Sequence, residues 1–415
     1  MTEKIHLHTY DHGLVLIAEP MPWLESAAFS LLLPAGAVHD PPERAGLASL
    51  TCEMALRGAG PYNSRELIER LDNLGVERSE SVGDAHTSFS GATLAESLFP
   101  ALEVFAEVVL RPHLPADQLD AGRQVALQEV LSVDDDPPQK LMETLRARHY
   151  PAPWGRPSHG DVAGLESIVL GEIAAHVERR YQPQGAILGV AGKFDWPALQ
   201  AHVERLFAGW QPRDGNLPAA DAPGEGQSEH LESDTNQTQI GVAYSSVPYR
   251  HPDYFQAWGA VGALSGGMSA RLFTEVREKR GLCYSVHAAY HTLRDQGAVF
   301  AYAGTTAARA QETLDVLVGE LVRLAEGIEP HEIQRLKARI KSALIMQQES
   351  SASRSSMLAR DWYHLGRPRS LDEVGALVDA LTCESINAYL AAHPPRDFTV
   401  VTLGPEPLEV PSGVC

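Results

Sequence analysis

The chain has 415 residues, 44% of them apolar, with 34 basic against 54 acidic side chains and a net charge of −20. That length calls for two or more domains, each burying its own core. The acidity argues against nucleic acid and anionic membranes as partners. No stretch approaches 18 unbroken apolar residues, and the opening MTEKIHLHTYDHG lacks the charged-then-apolar design of a secretory signal. Four cysteines in no C-x-x-C pair fit a reducing compartment, so a cytoplasmic protein with no membrane span is expected.

In chain order, Thr9–Pro22 (TYDHGLVLIAEPMP) reads as a hairpin with Asp11, His12 and Gly13 in the turn. His6 and His8 share one face of the strand before it, and short histidine-rich tracts can bind metal. No acid occupies a matching strand position, however, so the plainer reading is a surface. His86, His149, His159 and His176 show no paired spacing. Leu31–Gly58 (LLLPAGAVHDPPERAGLASLTCEMALRG) predicts a strand, a proline turn, then a helix bearing Ser49, Cys52 and Glu53. A lone helical cysteine such as Cys52 is more often a small buried hydrophobe than a nucleophile. A later helix, GRQVALQEVLSVDDDPP, begins with Gly122 and carries Glu129, 76 residues beyond Glu53.

Pro212–Glu229 (PRDGNLPAADAPGEGQSE) is rich in Pro, Gly, Ala and acids and reads as a linker. The order of elements then repeats. The proline turn and apolar helix of His39–Leu50 return in Arg250–Val261, and the helix, Pro-marked turn and helix that follow ATLAESLFP return after TTAARAQET. Two copies of one fold account for this. Apolar strands such as LVLIAEP, FSLLLPAG, IGVAYSSV and AVFAYAGT alternate with long helices, which makes each half α+β.

Gly266–Val286 (GGMSARLFTEVREKRGLCYSV) is the most specific segment. Met268, Leu272, Phe273 and Val276 fall at near-helical spacing, and Lys279, Arg280 and Gly281 suit a helix C-terminus. LCYSV predicts a strand with Tyr284 at its start. Arg277 and Tyr284, seven apart across the corner, are placed to meet and to grip a peptide carbonyl or a charged intermediate. The plain alternative is a surface arginine beside a half-buried tyrosine.

Arg271–Val286 resembles the segment RLFxxxREKxGLxYxV of the insulinase/pitrilysin family of zinc peptidases, in its mitochondrial-processing-peptidase-like branch. There, the arginine and tyrosine matching Arg277 and Tyr284 bind substrate and assist the reaction. The opening hairpin and Leu31–Gly58 are similar to the family's N-terminal domain. Its metal-bearing helix, GLAHFLEHM in active members, reads GLASLTCEM here. By that resemblance Ser49 stands for the first zinc-binding histidine, Cys52 for the water-activating glutamate and Glu53 for the second histidine. Glu129 matches the third ligand and Gly122 an acidic helper. Removing a group that merely orients a ligand costs roughly 10–100-fold in affinity or activity. Loss of two ligating histidines therefore implies no zinc on this chain, and Glu53 with Glu129 offers few oxygens for a hard cation.

The resemblance covers nearly the whole chain, ending with FTVVTLGP at Phe398–Pro405. It implies two homologous α+β domains, residues 1–211 and 230–415 about the linker 212–229. Each should be an antiparallel sheet of about six strands with helices packed on one face. Full-length pitrilysin-like enzymes close four such domains around a peptide chamber, and this chain supplies two. Three functions are consistent with these readings. One is a zinc-free subunit that pairs with a zinc-bearing homologue, or with itself, and offers Arg277 and Tyr284 to an extended peptide. The second is a non-peptidase scaffold or peptide-binding module. The third is an independent hydrolase rebuilt around Cys52, Glu53 and Glu129.

Overall fold

In the computed structural model of the chain, residues 4–213, 217–219, 224, 226–347 and 349–411 are described. They divide into two compact units. One comprises Met1–Ser132, Arg156–Ala219 and Ile345–Leu371, the other Val133–Gly155, Ala220–Leu344 and Asp372–Cys415. Each unit therefore includes a segment from the opposite half of the sequence.

The first unit is built on a six-stranded sheet in the spatial order His6–Thr9, Val15–Pro20, Ile187–Gly192, Ser26–Leu33, Thr87–Leu94, Glu77–Val82. All neighbours are antiparallel except Val15–Pro20 with Ile187–Gly192. Period-two alternation sends Leu16, Ala18, Phe29, Leu31, Leu188 and Val190 to one face. There they pack against Phe105 of helix Leu98–Leu110 and against Val203 and Phe207 of helix Trp196–Phe207. The alternate residues Val15, Ile17 and Ile187 meet Leu358 and Ala359 of helix Ser351–Leu365 on the other face. Gly189 permits that approach, since a Cβ there would lie 2.3 Å from the Ser355 carbonyl oxygen. Two buried ion pairs, Arg354 with Glu19 and Arg369 with Asp361, hold this helix and its C-terminal extension.

The second unit has a five-stranded sheet ordered Cys283–Thr292, Gly297–Thr306, Gln237–Ser246, Thr399–Gly404, Ser228–Glu232, with the last pair parallel. Ile240, Val242, Val299 and Ala301 pack against Leu314, Leu317 and Leu321 of helix Ala310–Arg323. Helix Pro137–His149 covers the opposite face, where the bare Gly241 accommodates Leu141 and Leu145. Both units are thus α+β, each with a largely antiparallel sheet. The paired helices Leu98–Leu110 and Leu119–Asp134 have counterparts in Ala310–Arg323 and Pro330–Gln347, as duplication requires.

Within the expected linker, residues 214–216, 220–223 and 225 lie outside the described residues, and Ser228 and Glu229 open an edge strand. Cys415 also lies outside them. Among the described residues no helix is long and apolar enough to cross a membrane.

Candidate functional site

Helix Leu47–Ala55 carries Ser49, Cys52 and Glu53, the three residues that the resemblance sets in the metal-binding frame. Its start is fixed by Gly46, at φ +97, and by Asp40, whose two carboxylate oxygens accept the backbone N–H groups of Gly46 and Ala48 at 3.0 Å each. Burial pushes the Asp40 carboxyl up to about 7, against the pull of those donors and of Arg156. The 156–161 loop closes on this turn so tightly that a Cβ on Gly160 would lie 2.3 Å from Gly46. That contact brings Ser158 and His159 to the same cavity as Ser49, Cys52, Glu53 and Glu129, a space of about 200 Å³. Glu80, from the hairpin strand, also lines it.

The donor set does not suit zinc. Glu53 is held by Arg57 one turn on, with Nε and Nη2 donating to one carboxylate oxygen at 3.0 and 2.7 Å. The Arg57 guanidinium therefore already occupies the carboxylate that the resemblance sets in the place of the second histidine. Cys52 is 6% exposed, and burial, then the charges of Glu80, Glu53 and Glu129, pushes its thiol up to about 12. It is the thiolate that attacks, so a thiol held in this state is a poor nucleophile. Glu129 is exposed on helix Leu119–Asp134. At the helper position, a Cβ on Gly122 would meet Met54 Sδ at 2.8 Å and Arg57 Nε at 3.2 Å, so the space beside this helix is filled by those side chains. Among the described residues no group of three or more His, Cys, Asp or Glu could hold a metal ion.

The histidines of the first strand serve packing. His6 stacks on Trp196 with centroids 4.8 Å apart, and His8 meets Tyr10 edge-on at 4.5 Å. Arg57, Glu80 and His159 escaped the sequence reading of this site. Arg57 carried a signal, its i,i+4 spacing from Glu53. His159 and Glu80 arrive through tertiary contacts alone.

The second candidate element lies in the second unit. The predicted helix is a short π-helical stretch, Phe273–Glu278, with Lys279 N–H donating to the Thr274 carbonyl at 2.9 Å. Met268 is not part of its buried stripe: it is 74% exposed and follows Gly267, whose φ of +145 breaks the helical path. Leu272 and Val276 do face inward. Gly281, at φ +58, closes the stretch, with its N–H on the Arg277 carbonyl and Leu282 N–H on that of Val276. Arg309 pins the turn by donating to the carbonyls of Gly281 and Arg280.

Arg277 and Tyr284 lie together at this corner. The guanidinium sits 4.5 Å from the Tyr284 ring centroid and 4.7 Å from that of Phe273, and its Nη1 donates to the Tyr284 carbonyl at 2.8 Å. The pairing register of strand Cys283–Thr292 slips between Cys283 and Ser285, a bulge at Tyr284. Bulges re-aim side chains, and Tyr284 is 82% exposed. Among the described residues its hydroxyl has no hydrogen-bond partner. The arrangement is a guanidinium held between two aromatic rings beside a phenol that faces solvent.

Comparison with known proteins places these features. Residues 16–160 match the family described as insulinase (peptidase family M16), and residues 167–340 match the peptidase M16 inactive domain. An uncharacterized zinc protease of Mycobacterium tuberculosis is 28% identical over 406 residues, covering 96% of this chain and 92% of its own. A peptidase M16 inactive domain from Pseudomonas fluorescens shares the fold with a TM-score of 0.88 at 22% identity, covering 98% of this chain and 99% of its own. A chain of complex III from Candida albicans does so at 0.83 and 18% identity, covering 97% of this chain and 96% of its own. The chain belongs to the insulinase family, peptidase family M16.

Proposed function

We propose that the chain is a zinc-free subunit of a processing-peptidase-like metalloprotease. It pairs with a zinc-bearing homologue and presents Arg277 and Tyr284 to an extended peptide held at that partner's metal. The observation that carries this reading is the pairing of Glu53 with Arg57 in a frame that offers Ser49 and a buried Cys52 in place of ligands and base. Pairing with a second copy of itself would bring no metal to the peptide.

On this reading the partner's zinc supplies the activated water. Arg277 keeps Nη1 on its own backbone and has other N–H groups to donate to a peptide carbonyl or carboxylate. The exposed Tyr284 hydroxyl can donate to the oxyanion that develops on the scissile carbonyl. A pure scaffold would have no task for a tyrosine turned outward by a bulge. A hydrolase rebuilt on Cys52 is disfavoured by the state of its thiol.

The test is reconstitution with a zinc-bearing homologue from the same cell. Cleavage of an unfolded peptide should require both chains. A homologue that cleaves equally well without this chain would end the proposal.

A further inference from the structure

A guanidinium that must keep one position is ordinarily held by a carboxylate, which fills its N–H fork and offsets its charge. Arg271 shows that arrangement in the second unit: its Nε and Nη2 each donate to Glu332 at 2.7 Å. Arg277 is held differently. Among the described residues it has no ion pair, and its side chain makes one hydrogen bond, from Nη1 to the Tyr284 carbonyl. Glu275, the nearby acid, is taken by Lys279 at 2.7 Å and by Arg280 at 2.9 Å. What fixes the Arg277 guanidinium is a pair of ring faces, those of Tyr284 and Phe273, with centroids at 4.5 and 4.7 Å.

Phe273 and Arg277 stand four apart in the π-helical stretch Phe273–Glu278, which sets them side by side. Such stretches are rare and occur frequently at functional sites. Leu272 and Val276 belong to the core of the second unit, whereas Phe273 is half-buried and no part of that core. Among the described residues its ring meets no other ring. A half-buried phenylalanine is ordinarily cover for the edge of a core. That role explains an apolar side chain at this position, but it does not require a guanidinium seated over the ring.

We infer that Phe273 is a positioning residue for the substrate-binding pair, an inference that rests on the function proposed above. A ring holds a guanidinium by its face and leaves the in-plane N–H groups open. The Nε and Nη2 donors of Arg277, the edge that Arg271 spends on Glu332, have no partner among the described residues. Phe273 and Tyr284 thus fix the direction of that edge without occupying it. A free arginine side chain would lose its rotamer freedom when it bound the peptide, and one already seated on two rings loses less.

The experiment is a double-mutant cycle in the reconstituted enzyme, with kcat and KM for peptide cleavage measured for wild type, Phe273→Leu, Arg277→Gln and the double variant. Phe273→Leu should raise KM about 2–5-fold, the worth of an exposed cation–π contact, and leave kcat nearly unchanged. Phe273→Tyr keeps the ring and should retain the wild-type KM. In the Arg277→Gln background, Phe273→Leu should have no further effect, because the group it positions is gone. A merely structural phenylalanine would change KM by the same factor in both backgrounds, and that result overturns the inference. So does a Phe273→Leu chain with wild-type KM where Arg277→Gln raises it. An Arg277→Gln chain that supports full cleavage, or a wild-type pair that cleaves nothing, overturns the proposed function and this role with it.

Discussion

Replacing Tyr284 with phenylalanine separates a substrate-binding role from a packing role. The residue is 82% exposed, and the change removes one hydroxyl that has no partner among the described residues. The ring that stacks on Arg277 at 4.5 Å remains, as does the Arg277 hydrogen bond, which goes to the backbone carbonyl. A surface change of this kind should alter stability by no more than about 0.5 kcal/mol, or about 1–2 °C in melting temperature. In the reconstituted enzyme, loss of one donor to the developing oxyanion should reduce turnover about 100–1,000-fold. Thermal unfolding and peptide cleavage are measured on the same preparation. A Tyr284→Phe chain that melts several degrees lower yet supports full cleavage would show that the phenol serves the fold and not the substrate.

Other changes probe the metal frame and the buried polar groups. Ser49→His, Cys52→Glu and Glu53→His together should restore zinc binding, with Glu129 as third ligand. Adding Arg57→Gln, which withdraws the guanidinium beside position 53 and its repulsion of the metal, should tighten it further by about ten-fold or more. A folded quadruple variant that takes up no zinc in elemental analysis would refute the assignment of Glu129. Arg354→Leu removes the buried guanidinium that pairs with the Glu19 carboxylate and should cost about 3–5 kcal/mol in denaturant unfolding. Adding Glu19→Gln should recover part of that loss. His149 is fully buried, and burial lowers it to about 4 in the folded chain. The unfolded chain therefore takes up a proton first as pH falls. Stability present above pH 6.5 is lost on the way to pH 4, by about 3 kcal/mol. His149→Gln should lose less stability than wild type over that range in urea titrations.

Much of this structure is legible in the sequence because alternation and turn residues report local structure. Strands such as Val15–Pro20 and Gln237–Ser246, and the duplicated helix pairs, follow from that pattern. The spacing of Leu272 and Val276 identifies a buried helical face. It cannot separate an α-helix from a π-helix, nor show that the glycines at 266 and 267 leave Met268 outside. Helices Pro137–His149 and Ser351–Leu365 are individually readable. Periodicity reveals that each buries a face, but not that the face belongs on a sheet from the other half of the chain. A local trace lies in the sheets, where Gly189 and Gly241 interrupt apolar strands beneath those two helices. In the metal frame the substitutions at Ser49, Cys52 and Glu53 are plain from the letters. The capture of Glu53 by Arg57 and the arrival of His159 depend on three-dimensional packing.

The central claim is that this chain carries no zinc and works only beside a chain that does. It is tested most directly by elemental analysis of the purified chain after incubation with zinc and gel filtration, with peptide cleavage measured alone and with the zinc-bearing homologue. The account predicts substoichiometric zinc, no cleavage by the chain alone and cleavage by the pair. One tightly bound zinc per chain, accompanied by chelator-sensitive cleavage without any partner, would contradict it.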